Sequence, residues 1–351
     1  MHDRWPLAVG RSPSAPADGE RPTANAFTPA WWIRGRHAQT IWGRLTRPRH
    51  AMALRREVLR TPDDDDLIVD HLDGHRLRFV LLHGLEGSSN SVYIQGLLRV
   101  IARHGFAATA MNFRSCARDP KRLSFMLMNR RPRLYHSGET SDFDFLVGSL
   151  PNDLPLVAIG ASLGGNVLLK WLGENPSQQI VKAAATMSVP YDLAAGATAL
   201  ARGAGLLYTA QFFQTMKRKT VSVVQRFEVD LDVPRALRAR TFHEFDNAST
   251  APLFGFRDAE DYYTRASSLP FLGAITTPAL CISSEDDPFL PLEALRRAQA
   301  AASPAVEFLL TSGGGHTGFI AGTIPWRTHY WAEELMVQWV AERGERPSRP
   351  Q

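Results

Sequence analysis

The chain has 351 residues, 44% of them hydrophobic, and a formal net charge of +5. That apolar content fills a full core, which excludes a predominantly disordered chain; the mild charge, with no nucleic-acid module beside it, excludes nucleic-acid binding as the main activity. No apolar run approaches the roughly 18 residues of a membrane-crossing helix.

The two cysteines, Cys116 and Cys281, lie far apart in unlike contexts, so no disulfide framework is expected. Near the N-terminus, Trp5–Gly10 is too short and proline-broken for a signal-peptide core. These features predict a soluble cytoplasmic protein.

Residues 1–27 are rich in Pro, Ala, Arg and Ser without periodicity and read as a disordered leader. Pro29–Trp42 carries Trp31, Trp32, Ile33, Ile41 and Trp42, an arm expected to pack on the main domain. Arg34, Arg36, Arg44, Arg47, Arg49, Arg55, Arg56 and Arg60 supply much of the positive charge and read as a solvated face, with peripheral membrane contact left open.

Leu54–Arg60 and Leu67–Leu72 have the pattern of a hairpin turned by Asp63-Asp64-Asp65-Asp66. That acidic run lacks the glycine and distant glutamate of a calcium loop and reads as a solvated turn. Leu77–Leu82 is a predicted strand ending at His83-Gly84-Leu85-Glu86-Gly87, followed by a helix over Ser91–His104 and a strand over Phe106–Met111. A long basic loop leads to Tyr135-His136-Ser137-Gly138-Glu139-Thr140, where His136 and Ser137 are expected to cap a helix that Ser141-x-x-Asp144 also suits. Glu86 reads as a helix-start anion, His83 as a brace for its own loop, and Cys116 as unreactive for want of a base.

Leu156–Ile159 is a buried strand that runs into Gly160-Ala161-Ser162-Leu163-Gly164-Gly165 and then a helix. Strand, tight turn and helix give G-x-S-x-G its meaning: the turn strains the serine backbone and lifts the hydroxyl off the sheet edge. A Cβ at Gly160 or Gly164 would collide with the neighbouring strand or helix. After the Ile180–Met187 strand the rhythm changes, and about 189–272 is helical and aromatic, as an inserted cap would be. Strands at Ala279–Ser283 and Val306–Leu310, with helices at Leu292–Ala301 and Trp326–Val340, resume it; the domain is predicted to span 28–343, with a flexible tail over 344–351. Alternating strands and helices predict an α/β fold with a mostly parallel sheet covered on both faces.

A serine hydroxyl is a weak nucleophile until a base takes its proton, and that base needs an orienting partner. Glu285-Asp286-Asp287-Pro288 follows one strand and Gly313-Gly314-Gly315-His316 the last, so serine, acid and histidine occur in hydrolase order. The candidates are Ser162 as nucleophile, His316 as base and Asp287 as acid, with Asp286 or Glu285 as alternatives. The backbone amides of Leu85 and Leu163 are the candidate oxyanion donors, one such donor being worth about 3 kcal/mol. No phosphate loop, metal-ligand spacing or cofactor motif is present, so no cofactor and no metal are expected.

His37-Ala38-Gln39-Thr40, HGLEG (83–87), NFRSC (112–116), YHSGET (135–140), GASLGGN (160–166), FDNASTAPLFGF (245–256), Asp286-Asp287-Pro288-Phe289 and GGHTGFI (314–320) together resemble the YheT-like α/β-hydrolases, relatives of the eukaryotic α/β-hydrolase-domain proteins 1, 2 and 3. The resemblance covers about Pro29 to Trp339. It implies the α/β-hydrolase fold with a helical cap, esterase- or lipase-like action on carboxylic esters, and the Ser162, Asp287, His316 triad. Ser115 departs from the family's glycine, and Lys121–Arg133 is longer than usual. The expected substrate is a small-molecule ester or lipid with an apolar group, matched to the aromatic cap and to Phe125-Met126-Leu127-Met128. An acyltransferase using the same triad, and a non-catalytic binder, are the alternatives.

Overall fold

The computed structural model describes residues 27–47, 52–325 and 327–345. The predicted leader falls outside them except for Phe27, which is buried against Phe319 and Trp331. Arg49, Trp326 and the tail beyond Glu345 also lie outside.

Helix α1 (Arg36–Thr46) precedes a hairpin of β1 (Arg55–Arg60) and β2 (Asp66–Leu72). Next come β3 (Arg78–Leu82), α2 (Val92–Arg103) and β4 (Ala107–Met111). The basic loop then holds a second hairpin absent from the sequence reading, β5 (Arg118–Asp119) with β6 (Arg122–Met126). Its alternation is short and its residues are largely exposed, so hydrophobic periodicity gave no signal. Helix α3 (Ser141–Ser149) leads to β7 (Leu156–Ala161), α4 (Leu163–Glu174) and β8 (Val181–Met187).

The eight-stranded sheet has the order β1-β2-β4-β3-β7-β8, continued by β9 (Ala279–Ser284) and β10 (Val306–Thr311), which lie beyond the cap in sequence. Its β1–β2 and β2–β4 pairs are antiparallel, and every other pair is parallel. Alternation along β7 divides the core. Leu156 and Ala158 join α3 and α4 residues on one face, while Val157 and Ile159 join Leu97, Leu98 and Ile101 of α2 on the other.

Between β8 and β9 the chain builds the cap: α5 (Leu193–Leu200), α6 (Gly205–Arg226), α7 (Val233–Arg238), α8 (Phe242–Phe245), a π-helical turn over Asp246–Thr250, α9 (Ala251–Phe254) and α10 (Ala259–Ala266). Phe213, Phe242 and Phe245 form its own small core. The sheet resumes with β9 (Ala279–Ser284), α11 (Leu292–Ala301) and β10 (Val306–Thr311). A short ladder of β11 (Ile320–Ala321) with β12 (His329–Tyr330) precedes α12 (Trp331–Gly344), so the last helix both starts and ends later than predicted.

Three local expectations are corrected. The acidic turn is not solvated throughout: Asp65 is fully buried and, with Asp63 and Asp142, grips the buried Arg114 guanidinium at 2.6–3.0 Å. Nor is the arginine cluster all solvated, because Arg47 is buried against Glu333 and lies over the Tyr330 ring. Ser141 does not cap α3. Thr140 holds the cap position but its hydroxyl donates to Glu174 instead of capping, while the Ser141 hydroxyl donates to Glu139 and the Asp144 carboxylate accepts from Trp171 Nε1.

Candidate active site

Ser162 caps β7 in a strained conformation, φ 52° and ψ −122°, which costs about 1–3 kcal/mol and persists only because its surroundings impose it. Its amide donates to Met187 O of β8. Closeness on both sides requires the flanking glycines. A Cβ on Gly160 would stand 2.6 Å from Gly164 O and Gly165 Cα, and one on Gly164 would stand 2.5 Å from Leu82 O. Removing Cβ there lets α4 start directly behind the serine, whose carbonyl accepts the amides of Gly165 and Asn166 and so begins the helix.

His316 lies on the loop after β10, and its Nε2 is 3.0 Å from Ser162 Oγ. Its Nδ1 donates to Asp287 Oδ2 at 2.9 Å. Asp287 is buried, and its other oxygen accepts from Phe289 N. With Nδ1 carrying the proton, Nε2 is left with a lone pair aimed at the serine hydroxyl. The alternative acids take other places: Asp286 accepts from Gly315 N, steadying the histidine loop, and Glu285 is exposed.

The loop after β3 is held at several points. His83 Nε2 accepts from Phe113 N, so its Nδ1 carries the hydrogen and donates to Gly84 O. Complete burial pushes this imidazole down to about 4, keeping it neutral; it braces the loop through the backbone, as expected. The Gly84 amide donates to Tyr93 Oη and the Glu86 amide to Tyr135 Oη, each at 2.7 Å. Among the described residues the amides of Leu85 and Leu163 have no acceptor. Occupation of both flanking amides leaves the Leu85 N–H as the unspent donor of its loop.

Glu86 is not a helix-start anion. Its φ of 56° turns the side chain inward, where it accepts from Tyr135 Oη and pairs with Lys219 Nζ at 2.7 Å. Burial opposes the carboxylate's charge, but the Lys219 ammonium outweighs it and holds Glu86 below its ordinary value. Lys219 comes from α6, so the cap is tied by a buried ion pair to the loop carrying Leu85. Its Nζ also lies 3.1 Å from Cys116 Sγ; burial pushes that thiol up, leaving it neutral.

His136 and Ser137 do not cap α3. The His136 ring packs edge-on against Phe254, Phe256 and Tyr262, and burial lowers it to about 4. Ser137 donates its amide to Tyr262 Oη.

Two spaces meet at Ser162 and His316. Behind them, under the cap, a mainly apolar chamber is lined by Leu193, Leu200, Phe212, Phe242, Phe245, Leu253 and Phe254, with Asp246 among its polar members. Burial pushes Asp246 up to about 6, while Thr250 Oγ1 and Tyr263 Oη donate to it. In front opens a second cleft of mixed lining, whose polar members include Thr40, Arg44, Ser88, Asn90, Arg118 and Ser124. Met126 and Met128, expected to face the substrate, line neither space; Leu123 and Ser124 of their hairpin reach the cleft instead.

Several supporting residues were not read from the sequence. Thr40 Oγ1 accepts from His316 N, and buried Gln39 bonds both the amide and the carbonyl of Ile320, so the arm fixes the histidine loop. Asn166 bonds Ser137 O, Ala266 O and Ser268 N, joining α4 to the end of the cap. Their presence within HAQT and GASLGGN was the available signal. Ser115, in place of a glycine, takes φ 60° and is held by reciprocal bonds with Asn129.

A parallel-rich sheet with a strained serine elbow, a histidine loop after the last strand of the large sheet and a helical cap defines the α/β-hydrolase class, and the family model described as "alpha/beta hydrolase fold" matches residues 78–323. The chain belongs to the YheT-like α/β-hydrolases. It is 32% identical over 324 residues to the protein named "Putative esterase YheT" of Escherichia coli (strain K12), covering 90% of this chain and 92% of that protein. It is 30% identical to phospholipase ABHD3 of Homo sapiens over 338 residues, 92% of this chain and 80% of the relative. Among solved structures, the mouse α/β-hydrolase domain-containing protein 10 superposes with a TM-score of 0.53 at 13% identity, covering 82% of this chain and 97% of that one.

Proposed function

We propose that the protein is a serine hydrolase that cleaves carboxylic esters through an acyl-enzyme on Ser162. The observation that carries the reading is the continuous relay from Asp287 through His316 to Ser162, with distances of 2.9 Å and 3.0 Å, at the mouth of an apolar chamber. Relatives named "Putative esterase YheT", "Phospholipase ABHD3" and "Monoacylglycerol lipase" support ester cleavage.

In this mechanism His316 Nε2 takes the Ser162 proton as Oγ bonds to the ester carbonyl carbon. The carbonyl oxygen becomes an oxyanion, received by the amides of Leu85 and Leu163. Asp287 orients His316 and stabilises the imidazolium. The tetrahedral intermediate collapses, the C–O bond to the alcohol breaks, and His316 returns the proton to that oxygen. Water, deprotonated by His316, then attacks the acyl carbon; the acid leaves and Ser162 recovers its proton.

The chamber takes the acyl chain and the outer cleft, with its mixed polar and apolar lining, takes the alcohol, which fits a short-chain ester or an acylglycerol-like lipid. The test is a fluorophosphonate probe followed by an ester panel of increasing acyl length. The wild type should be tagged on Ser162 and hydrolyse part of the panel. Folded protein that takes no label and turns over no ester would defeat the reading.

A further inference from the structure

Most of the large apolar side chains exposed among the described residues come from three elements around one opening. Ile41 and Leu45 lie on α1, Leu123 and Phe125 on β6, and Leu206 and Leu207 at the start of α6. Ile41, Leu123 and Tyr208 line the outer cleft together with Ser162 and His316, which fixes the three elements around the same mouth. His37 Nδ1 and Tyr208 Oη, 3.0 Å apart, join α1 to α6 directly.

The remaining side chains extend this face outward. Leu45 is one helical turn beyond Ile41, and Leu207 one turn before Gln211, which itself lines the cleft. Phe125 shares a strand face with Leu123. Leu45 is 70% exposed, Phe125 60% and Leu207 76%, exposures that cost free energy in water unless something covers them.

The charge on this rim has one dominant sign. Helices α1 and α6 contain no acidic residue. The β5–β6 hairpin carries Arg118, Lys121 and Arg122 against a single acid, Asp119. Exposed Arg36 and Arg44 add to it on α1. An apolar ring studded with cations, encircling the entrance to an apolar chamber, is complementary to the surface of an anionic bilayer: the leucines and phenylalanine enter the acyl boundary while the cations meet the headgroups.

We propose that this face docks the protein on anionic lipid surfaces and presents the catalytic mouth to the membrane, so that an acyl chain passes into the chamber without crossing water. The proposal rests on reading Ser162 and its neighbours as an ester-cleaving site, and it names where that site meets its substrate.

The experiment uses the full chain with vesicles of phosphatidylglycerol and phosphatidylcholine in equal parts, and with phosphatidylcholine alone, read by co-sedimentation. Wild type should pellet with the anionic vesicles, less in high salt, and much less with the neutral ones. Two cation replacements, Lys121→Gln with Arg122→Gln, should lower partitioning about 30-fold at low ionic strength. The triple variant L45S/F125S/L207S should lose at least about tenfold. Its hydrolysis of a soluble short-chain ester should stay at the wild-type rate, since none of the three lines the chamber or the cleft.

Wild type left in the supernatant with anionic vesicles overturns the proposal. So does a wild-type dimer that the triple variant converts to a monomer, because the face would then cover a second copy. Loss of soluble-ester hydrolysis in the wild type itself defeats the esterase reading instead, while the vesicle result stands by itself.

Discussion

Replacing Lys219 with methionine tests whether the cap holds the loop that carries Leu85. The Lys219 side chain is 2% exposed and that of Glu86 7%, so the substitution strands a carboxylate in the interior. Its Oε1 keeps the Tyr135 hydroxyl, but Oε2 already has no hydrogen-bond partner among the described residues. Breaking one half of a buried pair costs about 3–5 kcal/mol, most of it the desolvation of the survivor. The double variant K219M/E86Q removes both charges and should recover about 2 kcal/mol or more of that loss, read by urea unfolding with tryptophan fluorescence.

The pH dependence provides an independent check. In the wild type Glu86 is held below its ordinary value, so its contribution is present at neutral pH and fades only as pH falls through that lowered value. Without Lys219 burial dominates and raises Glu86 above its unfolded value. The variant should then lose stability as pH rises from about 5 to about 8, where the wild type is flat with respect to this group. With the Glu86 anchor loosened, Leu85 shifts, and kcat should fall about 10- to 100-fold with KM little changed. A single variant within about 1 kcal/mol of wild type, no recovery in the double variant and no pH slope would refute the coupling.

Ser162→Ala should retain the wild-type unfolding midpoint yet take no fluorophosphonate label and turn over no ester. Asp287→Asn should keep the fold while kcat drops by about four orders of magnitude, because an amide at that site favours the wrong imidazole tautomer; a change under tenfold would remove Asp287 from the relay. Gly164→Ala places a Cβ 2.5 Å from Leu82 O and 2.6 Å from His83 O, both backbone, and should cost about 3 kcal/mol or more in thermal or urea unfolding. Asp246, raised from 3.8 to about 6, should make the wild type lose about 3 kcal/mol as pH rises between those values, the protonated form being favoured by the fold. Asp246→Asn should abolish that segment of the pH–stability curve, and an unchanged slope would refute the assignment.

Local chemistry determines the legible part of the fold. Apolar runs such as Leu156–Ile159 and Leu280–Ile282 have few alternatives to burial as strands, and the glycines of the serine elbow are demanded by backbone contacts a few residues away. Motif order along the chain was enough to nominate Ser162, Asp287 and His316, since each follows a strand whose C-terminal end meets the same sheet edge. Leu85 was nominated in the same way, from the position of its loop after β3.

Long-range packing decided the rest. Sequence favoured Asp287 as the histidine's partner but kept Asp286 and Glu285 as alternatives, because neighbouring carboxylates differ only in direction; folding sends Glu285 out, Asp286 to the histidine loop and Asp287 to the imidazole. Glu86 and Lys219 are 133 positions apart, and no periodicity relates them, so their pairing exists only once the cap closes over the β3 loop. Asp65 likewise looks like any acid in a turn until Arg114 is folded against it. Strand, turn and helix identities are written in short segments because they answer to local sterics and burial period. Which charges meet, and what they hold in place, depends on contacts across the whole chain, and only the tertiary structure supplies those.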